Sequence, residues 1–310
     1  MIFLPYRLDA DRQGWPWITV AVMALCIWVF REQVYQDARF DVQAGNFCRA
    51  QLEWQTKERV MAIAQANGQS DCVPFFESLR TLNPDRVQLS EMVYRAEPLG
   101  VFPDVLQDRE YQVQILADQL ERYVALVPQA LTHQLAYNPQ EPEWQRMITS
   151  TLSHAGWAHI LGNLLFFYIF ASALETILGS LRFSVLLLMS AVGTSLAYTM
   201  ATRHLETALP SIGLSGVVMA TIGALSVMVP TVRIRCFFWF LVIFKTFRVP
   251  ALLFAAWYVG WDVYGLVTKG HTSIVNYTAH VSGAALGALA GLGLRIFAGD
   301  RIQYARLSVA

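Results

Sequence analysis

Long apolar runs dominate the chain, at 15–30, 155–178, 183–202, 211–229, 251–267 and 277–298, separated by short polar stretches and one long one. Crossing a hydrocarbon layer takes about 20 residues of helix, so these runs predict six membrane-spanning helices. The first run is short and lies near the N-terminus, where a cleaved signal peptide is the competing reading. Its closing residues, Cys26 to Arg31, contain no small-x-small cleavage site, so it reads as an anchor. A shorter run, 236–244, lies between Arg233, Arg235 and Lys245, Arg248. That pattern predicts an amphipathic stretch at the membrane interface.

The long polar stretch between Arg31 and Glu143 holds no spanning segment. Within it, Leu116, Leu120, Tyr123 and Val127 recur at spacings of three and four, which is helical. Pro84, Pro98 and Pro103 punctuate it. These features predict a small, mostly helical insertion.

Composition changes the picture in one direction. The chain has 310 residues, 55% apolar and 15% charged, against roughly 45–50% and about 25% in soluble domains. Its net charge of zero argues against an electrostatic nucleic-acid binder. With the N-terminus inside, cytoplasmic loops hold Arg182, then Arg233, Arg235, Lys245 and Arg248, then Arg295, Arg301 and Arg306. The opposite side of the later spans holds only Arg203 and Lys269. The excess of basic residues predicts both termini in the cytoplasm and an extracytoplasmic insertion. A disulfide between Cys48 and Cys72 fits an oxidising compartment there. Cys26 and Cys236 read as inert packing residues. With no Cys-x-x-Cys and no His-Glu-x-x-His in the chain, zinc chemistry is disfavoured.

Candidate chemistry enters with polar side chains at membrane depth, which are costly and usually functional. Ser215 stands in Gly213-Leu-Ser-Gly216 near the outer end of the fourth run. A hydroxyl there can simply bond back to the carbonyl four residues earlier. Alternatively, a serine just inside a helix start lies near free backbone N–H groups that suit an oxyanion. His280, near the outer end of the sixth run, is followed by Gly283, Gly287 and Gly291, one every four residues. Small residues at that spacing let helix backbones approach closely, and a close crossing brings the imidazole toward the hydroxyl, as base activation requires. His159 and Asn163, four apart on one helix face, both carry donors able to meet an oxyanion. His154 reads as structural.

With these residues in place, the chain resembles the rhomboid intramembrane serine proteases. The resemblance rests on Arg146, His154, His159, Asn163 and Glu175, on Gly213-Leu-Ser215-Gly216, and on Ala279-His280 with Gly283 and Gly287. The opening, with Pro5, Arg7 and Pro16, also resembles bacterial members. It implies an all-α membrane protein in which a six-helix rhomboid core carries a helical extracytoplasmic insertion. The corresponding segments are a cytoplasmic N-terminus and first helix (1–31), the insertion (32–143), the catalytic core (144–298) and a cytoplasmic tail (299–310). It further implies Ser215 as nucleophile and His280 as general base, a dyad without an acidic third member. His159, Asn163 and the Ser215 N–H would form the oxyanion hole, Gly213 and Gly216 would shape the substrate approach, and His154, Arg146 and Glu175 would support loop and core. Transmembrane proteins are the implied substrates and no cofactor is needed. A bacterial inner membrane is the implied location, and Trp261 resembles part of a lateral gate. Two positions depart from the family pattern: Gln145 separates Trp144 from Arg146, and Met219 stands where an aromatic residue often stacks on the histidine. Two other readings remain: a catalytically silent relative that binds or routes membrane clients, and a transporter, against which the chain shows no repeat between halves.

Overall fold

The computed structural model describes residues 2–9, 14–205, 208–240, 243–270 and 273–296. The expected tail 299–310, with Arg301 and Arg306, lies outside them. The described chain separates into two compact units, one of residues 2–33 and 132–296, the other Val34–Leu131.

The first unit is a bundle of apolar helices. Its chain-order elements are the strand β1 (Ile2–Leu8), the first half of α1 (Trp17–Asn46), α7 (Trp144–Leu152), α8 (Trp157–Leu178), α9 (Ser180–Thr202), α10 (Ser215–Met228), strands β2 (Arg233–Phe240) and β3 (Ile243–Pro250), α11 (Ala251–Lys269) and α12 (Tyr277–Leu294). Four described helices, among them α8, α9 and α11, are long and apolar enough to cross a membrane by length and composition. The other two predicted runs form α10 and α12. Both fall short of that measure, and α10 does so for a structural reason. It has only 14 residues, roughly 21 Å at 1.5 Å per residue, against ~30 Å of hydrocarbon. Nearly every residue from Gly216 to Met228 is buried among its neighbours. A helix that short, enclosed on all sides, starts inside the bundle, and Ser215 is its first residue.

Two local devices fix this frame. Gly179 joins α8 to α9 with φ of +80°, a left-handed conformation that favours glycine, so α9 starts directly where α8 ends. Beside it, the buried carboxylate of Glu175 accepts the backbone N–H groups of Ile18 (2.9 Å) and Thr19 (2.8 Å), the Thr19 hydroxyl (2.8 Å) and the Ser180 hydroxyl (3.0 Å). The first N–H groups of a helix lack intrahelical partners, and here a carboxylate from α8 supplies them for α1.

Around the run 236–244, Arg233–Phe240 and Ile243–Pro250 are β-strands rather than an amphipathic helix. Strands β1, β2 and β3 form an antiparallel sheet in that order, with Leu4 opposite Phe237, Arg235 opposite Arg248 and Trp239 opposite Phe244. Alternation explains it: Ile234 and Cys236 are buried whereas Arg233 is exposed, a period of two. Asp9 pairs with Arg235 (2.5 Å) and Arg248 (3.3 Å).

The second unit contains the remainder of α1, a π-helical turn Phe47–Gln51, then α2 (Trp54–Ala66), α3 (Cys72–Leu82), α4 (Arg86–Tyr94) and α5 (Val105–Leu126), and is narrower than the predicted 32–143 segment. A short helix, α6 (Leu131–Leu135), begins on the last residue of this unit. In the core of this unit Phe76 stacks on Tyr123 and Phe47 meets both rings edge-on, with Phe75, Leu79 and Leu116 fully buried. A disulfide joins Cys48 to Cys72 with Cα atoms 6.0 Å apart. Cys26 and Cys236 are free and buried. Asp85 caps α4 through a reciprocal pair with Gln88. Asp108 is buried but accepts four backbone N–H bonds from Leu99, Gly100, Val101 and Phe102. Burial alone would raise its pKa; those four bonds outweigh it and hold the carboxyl below its usual range.

Candidate active site

The site is built from the starts of three helices. Residues 153–156 lead into α8, which carries His159 and Asn163 one turn apart. The loop from Ser211 leads into α10, and Asn276 leads into α12. Pairing between neighbours holds these entrances. Tyr137 and Ser211 exchange backbone hydrogen bonds of 3.0 and 2.9 Å. The Asn276 side chain caps α12 by accepting the Ala279 N–H (2.9 Å) while its amide donates to the Ser211 hydroxyl (3.0 Å). One asparagine thus links the helix of His280 to the loop that precedes Ser215.

Ser215, His280, His159, Asn163 and Thr278 line one cavity of about 580 Å³. A second cavity of about 20 Å³ reaches the other side of Ser215 and is walled by Ser150, Thr151, Thr194 and Ser195. That is room for about one water among hydroxyl groups.

Gly213 brings the donors together. Its φ is +117°, and a Cβ there would stand 2.7 Å from Nε2 of His159 and 3.6 Å from Nδ2 of Asn163. Both donors therefore face the backbone two residues before Ser215. The Nδ1 atom of His159 accepts the Ala155 N–H at 3.3 Å, so the ring's proton belongs on Nε2, the nitrogen beside Gly213. The amide nitrogen of Asn163 is buried with no hydrogen-bond partner. A buried unmet donor costs about 1–3 kcal/mol, which an acceptor arriving in the cavity would recover.

His154 is buried below the loop. Its backbone N–H donates to Gln33 (3.0 Å) and its Nδ1 donates to the Leu152 carbonyl (3.2 Å). Its ring meets that of His159 edge-on at 5.1 Å. Burial, then repulsion from His159, pushes it down to about 4, so it is neutral near pH 7.

The remaining predicted residues divide between this centre and its frame. Gly216 and Gly283 lie in the crossing of α10 and α12: a Cβ on Gly216 would press on the Ala279 carbonyl at 3.3 Å, and one on Gly283 would overlap the Gly216 carbonyl. A Cβ on Gly287 would overlap the Ala220 carbonyl, and one on Gly291 would stand 2.8 Å from that of Ala224. Glu175 serves α1, away from the cavity. Arg146 pairs with Glu143 at 3.2 Å, one turn earlier at the start of α7. Met219 is buried and lines the cavity, while the Tyr277 ring meets that of His280 edge-on at 6.4 Å. Trp261 is exposed, touching Trp257 and Tyr264 on the outer face of α11.

Sequence reasoning assigned no role to Asn276, although an asparagine just before an apolar helical run is a capping signal. Nor did it assign one to Asp262, an acid inside an apolar run. Asp262 Oδ2 lies 3.2 Å from Nδ1 of His280.

Residues 141–297 match the model of the family described as the Rhomboid domain, just over half of the chain. Among curated proteins, the chain is 29% identical over 149 residues to Rhomboid protein 1, mitochondrial, of Saccharomyces cerevisiae, covering 47% of this chain and 40% of that protein. It is 36% identical over 93 residues to Rhomboid protease GlpG of Haemophilus influenzae, covering 30% and 46%. With the Putative rhomboid protease YdcA of Bacillus subtilis it shares 51% identity over 41 residues, 13% and 21% of the two chains. The alignments span about half or less of these relatives' own lengths.

Proposed function

The chain belongs to the rhomboid family, and from that premise we propose that it is an intramembrane serine endopeptidase acting on transmembrane proteins. The observation that carries this reading is the single cavity shared by Ser215, His280, His159 and Asn163. In the proposed cycle the Ser215 hydroxyl attacks a substrate carbonyl while His280 takes its proton. The developing oxyanion is met by the Nε2–H of His159, the unpaired amide of Asn163 and the backbone N–H of Ser215. Donors already aimed at the position where charge develops lower the barrier because they need not reorganise. His280 then protonates the leaving amine as the C–N bond breaks. A water then attacks the acyl-serine as His280 accepts its proton, and His280 returns that proton to the Ser215 oxygen as the ester bond breaks and the acid product leaves. The small hydroxyl-lined cavity beside Ser215 suits that water.

The membrane placement is part of the same proposal. Lys and Arg cluster on the side of the β1–β3 sheet, which supports cytoplasmic termini. The Cys48–Cys72 disulfide supports an oxidising compartment for residues 34–131. A bacterial cytoplasmic membrane satisfies both.

Cleavage of single-span membrane proteins by the purified chain in detergent tests this reading. Wild-type protein is expected to cut them near the outer end of the span, and Ser215→Ala and His280→Ala to lose at least about 10⁴-fold in rate while staying folded. Proteolysis retained by Ser215→Ala overturns the nucleophile assignment. A folded wild-type protein that cuts no substrate favours a silent, client-binding relative.

A further inference from the structure

The resemblance to the family implies a serine–histidine pair with no acidic partner, yet an acid lies against the histidine. Asp262, on α11, has its Oδ2 3.2 Å from Nδ1 of His280, on α12, with side chains 14% and 17% exposed. The contact is at ion-pair range, but its alignment falls short of a hydrogen bond, and Nδ1 is otherwise unpartnered. Because Nδ1 faces the carboxylate, Nε2 is the nitrogen left for the cavity that His280 shares with Ser215.

A carboxylate within an apolar span is expensive unless it meets a cation or strong donors. On α11 its neighbours Trp257, Trp261, Tyr264 and Val267 are exposed apolar residues. The side chains able to donate around the cavity include the imidazoles of His159 and His280, several hydroxyls, Ser215 and Tyr258 among them, and the amides of Asn163 and Asn276. Of these, His280 is the one Asp262 approaches at ion-pair distance. The serine mechanism makes that imidazole transiently positive, and a fixed negative charge behind it stabilises the cation and selects the Nδ1–H tautomer. In this chain the aromatic residue that would stack on the ring is replaced by Met219, so another group has to hold its orientation.

We propose that Asp262 is a positioning residue that orients the His280 imidazole and balances its charge, extending the pair to Ser215–His280–Asp262. The inference rests on the hydrolase reading above. Asp262 keeps its own charge throughout. The serine proton passes to Nε2 of His280 and on to the leaving amine, while the Nδ1 proton stays on the ring, facing the carboxylate.

The test measures labelling of the full chain in detergent by a fluorophosphonate probe, over a range of probe concentrations, for wild type, Asp262→Asn and Asp262→Glu. The ¹⁵N NMR signals of His280 are read in parallel for its tautomer. Wild type is expected to label and to show the proton on Nδ1. Asp262→Asn should lower the maximal labelling rate by about 10- to 100-fold with half-saturation by the probe unchanged. Asp262→Glu, which keeps the charge, should recover most of that loss. Equal maximal rates in wild type and Asp262→Asn overturn the proposal while leaving the hydrolase reading intact. A loss of rate shared equally by Asp262→Asn and Asp262→Glu, with the tautomer unchanged, also overturns it, because that is the behaviour of a tether between α11 and α12. Wild-type protein that is folded yet unlabelled overturns the hydrolase reading itself, and this inference with it.

Discussion

Helix α12 meets α10 on one side and α11 on another, and the two contacts are built differently. Against α10 it packs backbone to backbone: added methyl groups at Gly283, Gly287 or Gly223 would overlap main-chain atoms of the facing helix. Against α11 it packs by side chains, with the Tyr277 ring over Gly265 and Asp262 facing His280. Helix α11 is also loosely embedded, with 22% of its apolar window buried compared with 67% for α8. Backbone contacts have no rotamers to adjust, so α10 and α12 have little freedom to change their spacing. Side-chain contacts can break and re-form. Ser215 and His280 are thus carried on two helices locked backbone to backbone, while the neighbouring α11 is held to α12 by side chains.

The largest effect should come from breaking the rigid crossing. Gly287→Val and Gly283→Val are expected to destabilise the protein by about 3 kcal/mol or more, since overpacking against backbone has no cheap relief. Thermal unfolding in detergent would register this, with fluorophosphonate labelling abolished. Near-wild-type stability in either variant would mean that the helices are not locked together.

Outside both contacts, the loop that enters α8 should carry a pH signature through His154. Burial pushes its folded pKa down to about 4, below the ordinary imidazole value of 6.5, so the unfolded chain binds more protons between those values. Stability is therefore full above the unfolded pKa and falls as pH drops from 6.5 toward 4. The expected loss is about 2–3 kcal/mol. His154→Gln should flatten that slope in unfolding measured across the range; an unchanged slope would assign the effect elsewhere.

A smaller structural effect with a large kinetic one is expected at Gly213. Gly213→Ala must adopt a left-handed φ and displace His159, at a stability cost of about 1–3 kcal/mol. Labelling should slow about 10²-fold, because the oxyanion donors move. Retained labelling would separate this backbone turn from the chemistry.

The smallest effect should lie on the α11 side. Trp257→Ala and Trp261→Ala, on the exposed face of α11, are expected to change stability by less than about 0.5 kcal/mol while leaving cleavage of a membrane substrate equal or faster. A loss comparable to that of Gly287→Val would erase the distinction between the two contacts.

How much of this was legible in the sequence follows from how local each signal is. The glycine spacing along 283, 287 and 291 is carried by one helix, so the close crossing could be read from it. The apolar runs likewise gave the helices, although α10 ends well short of a full span because its burial, not its length, makes it apolar throughout. The sheet was missed because β1 pairs with a strand more than two hundred residues away, and nothing near Ile2–Leu8 announces its partner. The contact of Asp262 with His280 depends on the rotation of α11 about its axis, which hydrophobic periodicity fixes only coarsely. The tautomer of His159 depends on one backbone N–H at Ala155, a detail that no spacing rule contains.

Peptide mass spectrometry of the fluorophosphonate adduct decides whether Ser215, activated by His280, is the nucleophile. The account predicts a single adduct on Ser215 in the folded wild-type chain, lost in His280→Ala, whose serine is present but without its base. An adduct on another serine, or labelling of Ser215 that persists undiminished in His280→Ala, would contradict it.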